Sequence, residues 1–304
     1  MKREEFIISS NFDGLKLYGI IFEPLGEKKG IFQIVHGMCE KRERYFELAS
    51  FLCENGYVVA VHDQRGHGDS VESAEKRGWF GADKKGVAIV EDAVQVTKFL
   101  KEKYPALPVC LFGHSMGSMV VRCYIQKHDG LIDKLIVCGS PSNNPLSGIA
   151  VFLAKGISLF KGEMHRSKTL AYLSTGKGNE NFPGEGPGCW LSKNRENIDA
   201  FYGDEKCNFT FTCNGFENLF SLMKNTYTKG KYKVKNPELP IHFTSGSDDA
   251  VLGNEDKWLK AQNMLRKVGY KNVSGKLYHG LRHEIHNEPE REEVYRDFLE
   301  FLQK

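Results

Sequence analysis

No stretch of this chain holds the roughly 20 consecutive apolar residues that a membrane-crossing helix needs. The N-terminal "MKREEFIISS" mixes charges with a very short apolar run, unlike a secretory leader. Blocks of like charge are also missing. The 304 residues carry 42 Lys+Arg against 39 Asp+Glu, a formal net charge of +3, so nucleic acid has no electrostatic footprint to bind. None of the eight cysteines forms a CxxC pair with metal-like spacing. There is no internal repeat and no low-complexity tract. Together these absences leave a soluble globular protein of a reducing compartment, which we expect to be the cytoplasm. Cys53, Cys110, Cys123 and Cys138 sit inside apolar runs as small hydrophobes, and no structural disulfide is expected.

What is present is alternation. Residues 6–24 read as two strands around an Asn/Asp/Gly turn. "KKGIFQIVHG", "YVVAVHDQRGHG", "LPVCLFG" and "DKLIVCGS" are apolar runs of strand length. Between them lie segments with helical apolar spacing: "RYFELASFLCENG", "GVAIVEDAVQVTKFLKEKYP" and "MGSMVVRCYIQKH". The pattern breaks after Ser140 and resumes with "LPIHFTSGSDD", followed by helix, strand and a closing helix. Buried strands alternating with amphipathic helices predict a mostly parallel sheet covered on both faces. The interruption, 141–236, is rich in Gly, Asn and Lys with helical pieces, and predicts an insertion into one core made of 1–140 and 237–304.

Within this frame stands Gly113-His114-Ser115-Met116-Gly117, a G-x-S-x-G between a predicted strand and a predicted helix. A nucleophile at so sharp a turn has strained backbone angles and crowded neighbours. Glycine two positions either side removes the side chains that would collide. The following helix directs free N–H groups and its positive dipole end at the site. A serine hydroxyl needs a base, usually a histidine oriented by a carboxylate, both from later strand ends in the order Ser, Asp, His.

"FTSGSDDAV" and "YHGLRHEIHNE" are in those places. His279 lies near the strand end, His286 beside the last helix, and His283 in the loop between, where it can reach over the sheet edge; we favour His283. Asp249 is favoured over Asp248, which follows Gly-Ser as a turn former. The oxyanion donors expected are the backbone N–H of Met116 and that of Met38, in "IVHGMCE" after the third strand. In "HDQRGHGDS", Arg65 and Asp69 are suited to bracing the loop, and His67, preceding the serine in the chain, is read as structural.

Taken together, "HGMCEKRERY", "HDQRGHGDS", "GHSMGS", "GSDDAV" and "GLRHEIHNE" resemble the monoglyceride lipase and lysophospholipase-like branch of the α/β-hydrolases, over about residues 6–140 and 237–304. The resemblance implies an α/β-hydrolase fold with a largely helical cap, 141–236, inserted after the sixth strand. It matches Ser115 to the nucleophile, Asp249 to the triad acid, His283 to the base, and Met38 and Met116 to the oxyanion-hole donors. It implies no metal and no organic cofactor. The family commonly has Gly-Glu-His where this chain has Cys39-Glu40-Lys41. That change spares the backbone donor and alters the pocket wall.

The expected chemistry is acyl transfer to water from a carboxylic ester, with a lipid-like monoacylglycerol or lysophospholipid as substrate. A peptidase or amidase, and a thioesterase or acyltransferase, would use the same triad. A non-catalytic binding protein on this scaffold would need a missing triad member, and none is missing. Dehalogenases and epoxide hydrolases of this fold normally need Asp where Ser115 stands. In the cap, Ile149, Phe152, Leu153, Ile157 and Phe160 recur at roughly helical spacing. The ordinary use of such a face is packing onto the core. The alternative is an acyl channel or transient contact with a lipid surface.

Overall fold

Strands buried on both faces must be apolar along their whole length, and the central ones here are. In the computed structural model, which describes residues 1–176 and 178–304, β3 (Gly30–Val35), β4 (Tyr57–His62) and β5 (Val109–His114) are buried at every position. β1 (Lys2–Ser9) and β2 (Lys16–Glu23) precede them, and β6 (Lys134–Cys138), β7 (Ile241–Gly246) and β8 (Val273–Tyr278) follow. The eight strands form one sheet in the order β1-β2-β4-β3-β5-β6-β7-β8. The β1–β2 and β2–β4 pairs are antiparallel, and every other pair is parallel.

Helices cover both faces. α1 (Phe46–Glu54) and α9 (Arg291–Gln303) bury Leu48, Leu52, Val294 and Phe298 against one face. α2 (Ala88–Lys103), α3 (Met116–His128) and α8 (Glu255–Val268) cover the other. α8 begins where the Asn254 side chain accepts the Lys257 N–H at 2.9 Å, a side-chain cap on an otherwise orphaned donor. The mostly parallel α/β sheet expected from the alternation is the one observed. All eight cysteines are free and buried. Among the described residues no helix is long and apolar enough to cross a membrane.

Between β6 and β7 the chain forms α4 (Ser147–Lys161), α5 (Lys168–Ala171), α6 (Arg195–Gly203) and α7 (Cys213–Thr226). Here the packing expected of α4 is corrected. Phe152 is 79% exposed and Phe160 is 87% exposed, with Ile149 and Leu153 also exposed and only Ile157 partly buried. The helix instead turns Ser147, Ala150 and Ala154 inward, packing closely on α7. The distance between two helices follows the side chains at the contact, so a face of small residues allows the close approach that Phe and Leu would prevent.

The turn between β5 and α3 depends on two missing side chains. A Cβ at Gly117 would overlap the Val35 and His36 carbonyl oxygens, and one at Gly113 would overlap the Gly117 carbonyl. Gly117→Ala is expected to cost about 1–3 kcal/mol, as an overpacked site does, seen as a lower urea midpoint. Gly130→Ala, where a Cβ meets open space, is the near-neutral control. Equal midpoints for the two variants would refute the backbone-contact account.

Candidate active site

Ser115 sits between β5 and α3 at φ 54 and ψ −117, a left-handed backbone that a non-glycine residue adopts only under constraint. Its N–H is held by the Cys138 carbonyl at 3.0 Å, at the end of the neighbouring β6. Ser115 is partly exposed, and its neighbours His114 and Met116 are buried. Met116 opens α3, so its N–H has no partner within the helical ladder.

Asp249 follows β7, and His283 lies in the loop between β8 and α9. His283 Nδ1 is 3.0 Å from both Asp249 carboxylate oxygens. The other acceptor sites of Asp249 are taken by the Ser245 hydroxyl at 2.7 Å and the Val251 N–H at 2.8 Å. Both side chains are buried. Burial disfavours the Asp249 charge, but the His283 charge and the donors around it prevail and hold the carboxyl below its ordinary range. Burial likewise opposes charge on His283, and the Asp249 carboxylate overcomes it, so the imidazole is raised above its ordinary value.

The competing residues lie elsewhere. Asp248 is exposed and accepts the Ser247 hydroxyl at 2.8 Å, as a turn residue does. His279 is exposed just past β8. His286 is buried and stacked on Tyr45 with ring centroids 4.8 Å apart, and burial lowers it to about 3. His67 is packed against Phe80, Phe209 and Phe211, and burial lowers it to about 3 as well. Arg65 and Asp69 both brace their loop, each outward: Arg65 to Asp13 and Asp92, Asp69 to Arg42 and Lys206.

Ser115, His283, Met38 and Met116 line one cavity of about 820 Å³. That volume is within the range that buries a small-molecule ligand. Its walls include Met119, Trp190, Phe211, Phe216, Leu219 and Met223. Trp190 stands 5.2 Å from the His283 ring, centroid to centroid. The Cys39 departure has a local consequence. Cys39 takes φ 58, a conformation that favours glycine, and its thiol donates to the Phe209 carbonyl at 2.8 Å. Lys41 reaches Asp204 at 2.5 Å. Reasoning from sequence missed Ser245, Arg44 and Glu284, which hold these loops; only the short spacing of Ser245 to Asp249 and of Glu284 to His283 signalled two of them.

Among the described residues one group has metal-like clustering: His114, Cys138 and His286, with potential ligand atoms within 4.8 Å of one another. All three are buried, and both His114 nitrogens already have partners, the Tyr45 hydroxyl at 3.1 Å and the His283 carbonyl at 3.2 Å. The set reads as packing beneath His283 rather than as an ion cage.

The model of the serine aminopeptidase S33 family, Hydrolase_4, matches residues 26–290. The chain is 26% identical to the human monoglyceride lipase over 91% of its own length and 83% of that protein. It is 24% identical to a monoacylglycerol lipase of Mycolicibacterium smegmatis, over 95% of the chain and 93% of that protein. A thermostable carboxyl esterase from Bacillus coagulans, solved in complex with glycerol, superposes with a TM-score of 0.88 at 29% identity, over 100% of this chain and 98% of that one. With the eight-stranded sheet, the strained serine turn and a family match spanning most of its length, the chain belongs to the serine aminopeptidase S33 (Hydrolase_4) family of α/β-hydrolases.

Proposed function

We propose that this protein hydrolyses carboxylic esters carrying an acyl chain, with Ser115 as nucleophile, His283 as general base and Asp249 as its orienting acid. The observation that carries the reading is the buried Asp249–His283 hydrogen bond at the wall of the cavity that Ser115 enters. His283 takes the Ser115 proton as Oγ attacks the ester carbonyl. The Met38 and Met116 N–H groups hold the developing oxyanion. The imidazolium, stabilised by Asp249, protonates the departing alcohol, and His283 then activates water on the acyl-enzyme. No step calls for a metal or organic cofactor.

The segment 141–236 acts as a cap whose inner wall receives the acyl chain, through Phe211, Phe216, Leu219 and Met223. Monoacylglycerol is the favoured substrate, after the names of two relatives, with lysophospholipid the alternative that the names of two others support. The exposed apolar face of α4 continues to the cavity rim, where Leu146, Tyr172 and Leu173 are both exposed and lining. That continuity fits transient contact with the lipid surface that holds the substrate. Eight free thiols suit a reducing compartment, and we place the protein in the cytoplasm.

Ser115→Ala is expected to lower kcat by roughly 10⁴-fold or more with folding intact. The assay is a panel of monoacylglycerols, lysophospholipids, short esters and aminoacyl amides. Amides outpacing esters, or acetyl esters outpacing octanoyl, would overturn the acyl-ester reading.

The base must be neutral to act, so activity falls as pH drops through the raised His283 value, placing the acid limb of kcat/KM above the ordinary histidine value. In Asp249→Asn burial remains without the countering charge. The limb is then expected to move to lower pH while kcat falls by about 10⁴-fold. An unmoved limb counts against Asp249 as the partner.

A Phe152→Ser, Phe160→Ser double variant is expected to keep its rate on a soluble butyrate ester and lose at least half its rate on monooleoylglycerol in vesicles. Equal retention on both substrates removes the lipid-contact role.

A further inference from the structure

Glu40 is a buried carboxylate that the reaction sequence above leaves without a task, although it lies two residues beyond a proposed oxyanion donor. Its two oxygens do different things. Oε2 accepts one bond from Arg44 Nη1, at 3.2 Å. That guanidinium already has stronger partners: Glu284 takes it through both oxygens, at 2.9 and 2.6 Å, and Asn197 of α6 accepts from Nη2 at 2.8 Å. Neutralising Arg44 therefore does not account for Glu40.

Oε1 faces the reaction centre. It accepts the Gly37 backbone N–H and, at 2.8 Å, the Tyr45 hydroxyl, and it lies 3.5 Å from His114 Nδ1. Gly37 is gripped on the other side too. A Cβ there would lie 2.5 Å from Glu40 Oε1, 3.2 Å from the Ser115 Cβ and 3.3 Å from His114 Nδ1. The Gly37 residue thus fills the gap between the nucleophile's turn and the Glu40 carboxylate, with no spare room. The peptide that follows Gly37 is the one whose N–H belongs to Met38. The carbonyl of that same peptide accepts from His36 Nδ1 at 2.8 Å, while Glu40 holds the peptide before it, so the Met38 N–H keeps its direction only while both ends of Gly37 are fixed. The hydrogen-bonding partner is itself held: Tyr45 and Arg44 grip Glu40 from the 3₁₀ turn Arg42–Tyr45 just before α1.

From this we propose that Glu40 is a positioning residue of the oxyanion hole: its Oε1, reaching the Gly37 N–H, aims the Met38 N–H at the developing charge. The inference rests on the proposed roles of Ser115 and Met38. Misplacing an oxyanion donor lowers the rate without weakening ground-state binding, because the interaction exists only once the charge has formed.

Two variants separate reach from charge. Glu40→Asp keeps the charge and withdraws the oxygen by one methylene. Glu40→Gln keeps the reach and an acceptor oxygen and loses the charge. Both are compared with the unaltered protein on a monoacylglycerol, with folding followed by circular dichroism melting. For Glu40→Asp the expected result is a kcat reduced about 10–100-fold with KM within about 3-fold. Glu40→Gln is expected to keep more than about a tenth of kcat, and more than the Asp variant does.

The second readout is inhibition. An alkyl trifluoromethyl ketone accepts Ser115 Oγ at its carbonyl carbon, the hydroxyl proton passing to His283, and leaves a hemiketal oxyanion in the hole. Its Ki should rise in Glu40→Asp by about the same factor as kcat/KM falls. A 1-O-alkylglycerol ether, which forms no oxyanion, should bind unchanged. The inference is overturned if the Gln variant is the weaker of the two, if both keep kcat within about 3-fold, or if ketone and ether lose affinity together. Ser115→Ala keeps the two layers apart. An active Ser115→Ala sinks the site assignment itself. An inactive one, beside a failed Asp/Gln ranking, sinks only the role of Glu40.

Discussion

A serine held at positive φ between a strand and a helix is the constraint on which the site's geometry depends. Such a residue costs of order 1–3 kcal/mol, and it persists only where the surroundings over-determine it. Here β5 is buried along its length, α3 is packed on the sheet, and the Ser115 N–H is tied to β6. The absence of a Cβ at Gly117 also lets the helix start approach the Val35 and His36 carbonyls. The same contact that sharpens the turn therefore brings the end of β3, which the Gly37-Met38 peptide follows, against the start of α3. The candidate nucleophile and the candidate oxyanion donors are set by one close backbone approach.

Electrostatics then separates one histidine from its neighbours. His62, His67 and His286 are fully buried without a carboxylate on the ring, and burial lowers each to about 3. They are neutral packing elements at any ordinary pH. His283 is just as buried, but Asp249 lies 3.0 Å away and reverses the direction. The desolvation of Asp249 is offset by donors from Ser245 and Val251 as well as from the imidazole. Beneath them Arg44 joins Glu40 to Glu284. Burial opposes both charges, yet His114 and Arg44 hold Glu40 well below the carboxylate range, and Arg44 holds Glu284 at about 2.

The helices between β6 and β7 follow a different logic from those on the sheet. α2 and α9 bury large apolar side chains, because a sheet face offers broad contact. α4 meets another helix along a row of small residues and leaves Phe152, Leu159 and Phe160 outside. Apolar periodicity reports that a face exists; it does not report whether core, ligand or an external apolar phase covers it.

Local pattern was enough to determine the alternation of strands and helices, the mostly parallel sheet, the serine turn with its two glycines, and the loops that bear Asp249 and His283. Each is encoded within a few residues, by period, by glycine placement or by motif order. What only the tertiary structure decided are contacts between distant segments. The Asp249–His283 bond spans 34 positions and the Arg44–Glu284 pair spans 240. The outward face of α4, the left-handed Cys39 and the grip of Glu40 on Gly37 belong to the same class. They depend on which surfaces meet when the chain closes, and a one-dimensional pattern holds no record of distance or of the side from which a neighbour arrives.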